Sequence, residues 1–130
     1  MTIGFDEALA HRIEAGADIF LMPSRYEPCG LNQLYSLRYG TVPVVHATGG
    51  LKDTIRDVGE PDPNGIKFSD FSPAGLVAAV RRALQLFEDP GQWILRQQAG
   101  MRDDHSWDVS AREYVKVYEE AAFELSPEAR

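Results

Sequence analysis

Glu27 and Gly30 lie in one short stretch, SRYEPCGLN from Ser24 to Asn32, whose residue types can do chemistry together. An apolar run precedes the stretch and a helically periodic run follows it, so it reads as a strand-to-helix loop. At a helix start the first backbone N–H groups lack partners and carry the positive end of the helix dipole, which suits phosphate or sugar hydroxyls. Gly30 has no side chain, so a ligand can come close to the main chain there. A carboxylate such as Glu27 does not bind phosphate, but it accepts hydrogen bonds from hydroxyls beside one. The same residues also describe an acidic helix cap and an ordinary proline-containing loop. Spacing alone does not choose between these readings.

Thr48-Gly49-Gly50-Leu51 is the second unusual strand-to-helix connection. Two glycines before a helix let a ligand lie on the backbone, although the pattern is neither GxGxxG nor a Walker loop with its lysine. A plain tight turn explains it equally. Cys29 has no histidine nearby in sequence and is not read as a nucleophile. His46 closes a strand and reads as structural or supporting, His11 as structural and His105 as a surface residue. Three scattered histidines and a single cysteine offer no metal-ligand spacing, so neither a metal nor a cofactor is expected.

The elements that must position these loops follow from periodicity. Asp6 to Ala15 reads as a helix, Ala17 to Met22 as a buried strand, Leu31 to Tyr39 as a helix stopped by Gly40. Val42 to Ala47 is a second buried strand, Thr48 to Gly50 a tight turn, and Leu51 to Val58 a short helix. Glu60 to Gly65 is a breaker-rich turn before a third, very short strand, Ile66 to Phe68. Ser72 caps a helix from Pro73 to about Glu88, Asp89-Pro90 breaks it, and helices follow at Gln92 to Met101 and Asp108 to Leu125. Trp93, Trp107, Tyr114 and Tyr118 sit at helical spacing and read as core, with a stacking platform for a ligand as the rival for any that are exposed. Alternating strands and helices predict an α/β fold, a Rossmann-like parallel sheet with flanking helices. Two or three strands are few for such a sheet.

Composition narrows the function classes. With 130 residues the chain makes one domain, residues 1–130. Apolar residues at 44% support a real core, which argues against disorder. A net charge of -7, with no basic run longer than Arg81-Arg82, argues against nucleic acid and against an anionic membrane surface. One cysteine permits no internal disulfide, and no apolar window approaches the ~20 residues of a membrane span. The expectation is a cytoplasmic protein.

The stretch PSRYEPCGLNQLYSLRYGTVPVVHATGGLKDT, Pro23 to Thr54, closely resembles bacterial glycogen synthases and plant starch synthases. The preceding DEALAHRIEAGADIF and the tail with Trp107 and Tyr114 to Tyr118 are similar to that family too. The resemblance implies a retaining glucosyltransferase of two Rossmann-like domains (the GT-B architecture), this chain being the second half of the C-terminal one. The implied reaction moves glucose from ADP-glucose to the non-reducing end of an α-1,4-glucan, without a metal. Glu27 then matches the acidic residue that holds donor-glucose hydroxyls. Cys29, Gly30 and Leu31 match the segment whose amides approach sugar and diphosphate, Asn32 the polar position beside it, and Tyr35 the nucleotide side. Thr48, Gly49 and Gly50 match the neighbouring loop of the cleft. Many retaining relatives carry a second Glu eight positions after the first; Tyr35 stands there here, which favours the glycogen synthase type.

The resemblance also implies that the chain is a piece of an enzyme several times longer. The N-terminal domain and the front of the C-terminal domain would supply acceptor binding, a lysine-containing glycine motif, and an Arg and a Lys for the diphosphate. Lys52 and Arg56 are not read as substitutes. The expectations are no glucosyl transfer by this chain alone and self-association through surface its missing segments would cover. A non-catalytic sugar-nucleotide-binding or interaction module on the same fold is the alternative.

Overall fold

The computed structural model describes residues 3–124. Its elements run α1 (Glu7–Ala15), β1 (Ile19–Met22), α2 (Asn32–Tyr39), β2 (Val42–His46), α3 (Gly49–Thr54), β3 (Ile66–Phe68), α4 (Pro73–Phe87), α5 (Pro90–Arg102) and α6 (Trp107–Glu124). The strands form one parallel sheet in the order β1-β2-β3. Ile19 pairs with Val42 and Met22 with Val45; Val44 then pairs with Ile66 and His46 with Phe68. Parallel neighbours cannot be joined by a hairpin, so α2 and then α3 with its following loop carry the chain back across the sheet.

Alternation along β2 divides the core. Val42 and Val44 point to one face, where they meet Ile66, Phe68, Ala79, Ala83 and Trp93 under α4 and α5. Val45 points to the other, against Leu37, Leu51 and Ile55 of the α2–α3 side. The central strand is thus covered on both faces, which is why its sequence is continuously apolar. β1 and β3 lie at the two sheet edges among the described residues.

Local signals set most helix ends. Ser72 Oγ accepts from Gly75 N at 3.0 Å with Pro73 in the first turn of α4, and Asp89 Oδ1 accepts from Gly91 and Gln92 N at 3.0 and 3.1 Å to start α5 at Pro90. The Asp89-Pro90 pair therefore begins α5 as well as separating it from α4. The glycines after Thr48 are not a turn ahead of a helix: they are the first two residues of α3. That helix stops at Thr54 rather than Val58, because Ile55 turns extended to bury its side chain completely. Arg56 and Asn64 then anchor the following loop to the end of α5. Arg56 Nη2 lies 2.9 Å from Asp103 Oδ1 and Asn64 Nδ2 2.7 Å from Asp103 Oδ2.

The aromatic residues divide. Trp93 is core at 5% exposure, but Trp107, Tyr114 and Tyr118 are exposed at 83%, 58% and 66%, contrary to the core reading. Their helical spacing is real, but residues 111–123 of α6 are all exposed, so no described residue buries the stripe. The expected helix end at Leu125 lies outside the described residues. No helix among the described residues is long and apolar enough to cross a membrane.

Candidate functional site

The site is built where β1 hands over to α2, at the carboxyl end of the sheet. From Pro23 the chain leaves β1 and crosses toward the end of β2. Its residues Glu27 to Cys29 lie directly on the start of α3. Gly50 N donates to Glu27 O at 3.1 Å and Pro28 O at 3.2 Å. A Cβ on Gly49 would stand 2.0 Å from Glu27 O, and one on Gly50 2.2 Å from Cys29 O. Two backbones are in direct contact there, so any side chain at 49 or 50 would push the loops apart. The two loops picked out from sequence are therefore one assembly, with Thr48 as the extended N-cap of α3 beneath it. The Gly50 amide is engaged by protein and does not face open space.

The start of α2 is different. Leu31 is its N-cap and no side chain caps it. The first backward bond of the helix is Tyr35 N to Leu31 O at 3.0 Å, which leaves the amides of Asn32, Gln33 and Leu34 without intrahelical partners. Among the described residues no other group accepts from them. Gly30, at φ +73°, turns the chain into the helix through the left-handed region that glycine alone enters cheaply.

Glu27 does not cap that helix, which removes the capping alternative. It is half-buried, and its Oε2 accepts from Ser24 Oγ at 3.2 Å. Ser24 O in turn lies 2.9 Å from His46 Nδ1, and the His46 ring packs on Phe68 and Phe71. His46 thus ties the end of β2 to the Glu27 loop. Cys29 is exposed and free.

Beside the α2 start, on the α1 side, lies a cavity of about 220 Å³ lined by Phe5, His11, Glu14, Asn32 and Tyr35 among others. Tyr35 is 40% exposed with its ring 5.1 Å from that of His11, and the His11 Nδ1 bonds the Tyr39 hydroxyl at 3.2 Å. Glu14 is buried with Oε2 unpartnered; burial raises its pKa from the ordinary 4.5, partly opposed by the nearby His11. A larger groove of about 580 Å³ opens on the far side of Tyr35, toward Arg38, Met101 and His105.

Glu27, Cys29, Gly30, Leu31, Asn32, Tyr35, Thr48, Gly49 and Gly50 are thus gathered around one end of the sheet. Reading by sequence missed Ser24, Gln33, Phe5 and Glu14. Ser24 and Gln33 lie three residues either side of Glu27 and Gly30, and that local spacing was their only signal. Phe5 and Glu14 had none, because α1 and the residues just before it reach the site only through packing.

Open parallel sheets hold phosphate-bearing ligands at strand carboxyl ends, against a helix start of this kind, and the class is accordingly Rossmann-like. Comparison with known proteins makes the class particular. The chain belongs to the glycosyl transferases group 1 family, which it matches over residues 2–99. It is 59% identical over 117 residues to a glycogen synthase of Anaeromyxobacter sp. (strain K), covering 89% of this chain and 25% of that protein. To a glycogen synthase of Koribacter versatilis it is 57% identical over 122 residues, 92% of this chain and 25% of that one. The catalytic domain of starch synthase IV from Arabidopsis thaliana, solved bound to ADP and acarbose, superposes with a TM-score of 0.82 at 35% identity. That match covers 91% of this chain and 25% of the other. The chain spans about a quarter of the length of these relatives.

Proposed function

We propose that this chain is the donor-binding part of a glycogen or starch synthase, a cytoplasmic enzyme that moves glucose from ADP-glucose to the non-reducing end of an α-1,4-glucan with retention. The observation that carries the reading is the uncapped start of α2, with Glu27, its carboxylate held by Ser24, in the same loop three residues before Gly30. Diphosphate fits the free amides from Gly30 to Leu34, and glucose hydroxyls fit Glu27. In this reading Cys29, Gly30, Leu31 and Asn32 line the sugar and diphosphate. The cavity between Phe5, His11 and Tyr35 offers aromatic side chains for the nucleoside. Thr48, Gly49 and Gly50 act from beneath, by holding the Glu27–Cys29 loop in place.

Departure of ADP builds negative charge on the leaving diphosphate and positive charge on the sugar ring. Preorganised amides stabilise the first, and the Glu27 side chain orients the sugar and offsets the second. Glu27 is not assigned as a nucleophile, since no second carboxylate in the loop completes a glycosidase-type pair. Groups from the rest of the enzyme complete the transfer.

The test is titration of the chain with ADP-glucose, read by amide shifts, beside Glu27→Ala. Binding in the parent, weakened about tenfold or more for ADP-glucose but little for ADP in the variant, is expected. No shift at millimolar ligand refutes the site. Glucan elongation by the chain alone would refute the need for further segments. Binding that never yields elongation, even with the remaining three quarters of a relative added as a second polypeptide, would leave the non-catalytic module.

A further inference from the structure

We propose that Gln33 is the positioning residue of the donor cradle: its buried amide, behind the loop, turns the Cys29–Gly30 and Gly30–Leu31 peptide units so that their N–H groups face the ligand. The inference rests on the donor-site reading above.

Gln33 is fully buried. Its Nε2 lies 3.0 Å from Cys29 O, 3.1 Å from Gly30 O and 3.4 Å from Thr54 Oγ1. Thr54 gives its own proton to Gly50 O at 2.6 Å, so it too meets Gln33 as an acceptor. Three acceptors on that side require the side chain to present its NH₂ group there. In a trans peptide unit the carbonyl and the next N–H point opposite ways. A Cys29 carbonyl drawn inward to Gln33 therefore sends the Gly30 N–H outward, and the inward Gly30 carbonyl does the same for the Leu31 N–H. Gly30 is left-handed at φ +73° and Leu31 right-handed at φ -117°, ψ -32°. Such a pair makes successive N–H groups converge into a concave anion cradle, which the free amides of α2 then extend.

Two further observations point the same way. The Gln33 Oε1 is buried without any partner, a cost that a leucine at this site would avoid. A Cβ on Gly30 would stand 2.4 Å from that same Oε1. Glycine at 30 and glutamine at 33 are a matched pair. Through Thr54 and Gly50 the brace also joins the α3 platform that carries Glu27, so the carboxylate and the amide cradle are set from one buried point.

Gln33→Met keeps length and bulk but donates nothing. Gln33→Glu keeps Oε1 and replaces the donor with an acceptor that repels both carbonyls. Residual dipolar couplings of the chain report N–H directions, and titration with ADP and with inorganic pyrophosphate reports the cradle. In both variants the Gly30 and Leu31 vectors should reorient while those of β1, β2 and β3 superpose on the parent, and the ADP Kd should rise about tenfold or more. Parent-like Gly30 and Leu31 vectors in folded variants overturn the proposal, even if affinity falls. Unfolding of both variants also counts against it, since the effect must be confined to the loop. If the parent itself fails to respond to millimolar ADP, the donor-site reading fails, and the couplings alone still decide whether Gln33 sets the two peptide units.

Discussion

Gly50→Ala is the substitution that tests how the site is held. The added Cβ would stand 2.2 Å from Cys29 O and 2.8 Å from Cys29 C and Cα, all backbone atoms that cannot swing aside. Ordinary contact begins near 3.4 Å, so the Glu27–Cys29 segment must retreat by about 1.2 Å. That retreat breaks the Gly50 N–H bonds to Glu27 O and Pro28 O, 3.1 and 3.2 Å long. Overpacking of this kind costs about 1–3 kcal/mol and the lost hydrogen bond about 1 more. For a domain of this size the melting temperature should fall by roughly 5–15 °C. A carboxylate and amides displaced by about 1 Å lose charge-assisted hydrogen bonds worth about 1.5–3 kcal/mol, which should weaken ADP-glucose binding by about ten- to a hundredfold. Thermal unfolding by circular dichroism and calorimetric titration measure the two effects. Asp103→Ala is the matched control. It cuts the Arg56 and Asn64 contacts at the end of α5, should cost about 2 kcal/mol, and should leave affinity for ADP-glucose intact. Gly50→Ala with unchanged melting and unchanged affinity would refute the reasoning. Equal affinity losses in both variants would show that binding follows global stability and not the loop contact.

Two more predictions follow from the packing. Because burial raises the Glu14 pKa above 4.5, the folded chain keeps a proton that the unfolded chain has already released. Stability therefore falls as pH rises through that interval, and Glu14→Gln should flatten the curve and melt higher than the parent at neutral pH. Parallel melting curves from about pH 4 to about pH 8 would refute this. The chain should self-associate through the uncovered α6 stripe, where Val115 and Tyr118 are more than half exposed. Val115→Lys with Tyr118→Lys should reduce that association, and a clean monomer of the parent in sedimentation velocity at high concentration would refute it.

Periodicity and turn chemistry were enough to read the element order, the parallel α/β class, the Ser72 cap and the Gly40 stop, because those signals are local. Ser72 satisfies a first-turn amide of α4 from three residues away, whereas Asp89-Pro90, read as a breaker, also caps α5. The fate of Trp107, Tyr114 and Tyr118 was not legible, since helical spacing says which residues share a face but not what packs against it. Nor did the Gly49-Gly50 pair disclose its contact. A double glycine permits a ligand, a turn or another backbone equally, and only the folded chain shows Cys29 lying on it. The sequence alone determined that a carboxylate and a helix start share one loop, because their separation along the chain is short; that the start is uncapped is a finding of the folded chain. The tertiary structure decided which way the amides face, because that depends on Gln33, Thr54 and Gly50 meeting across two loops, Gln33 and Thr54 standing 21 residues apart along the chain.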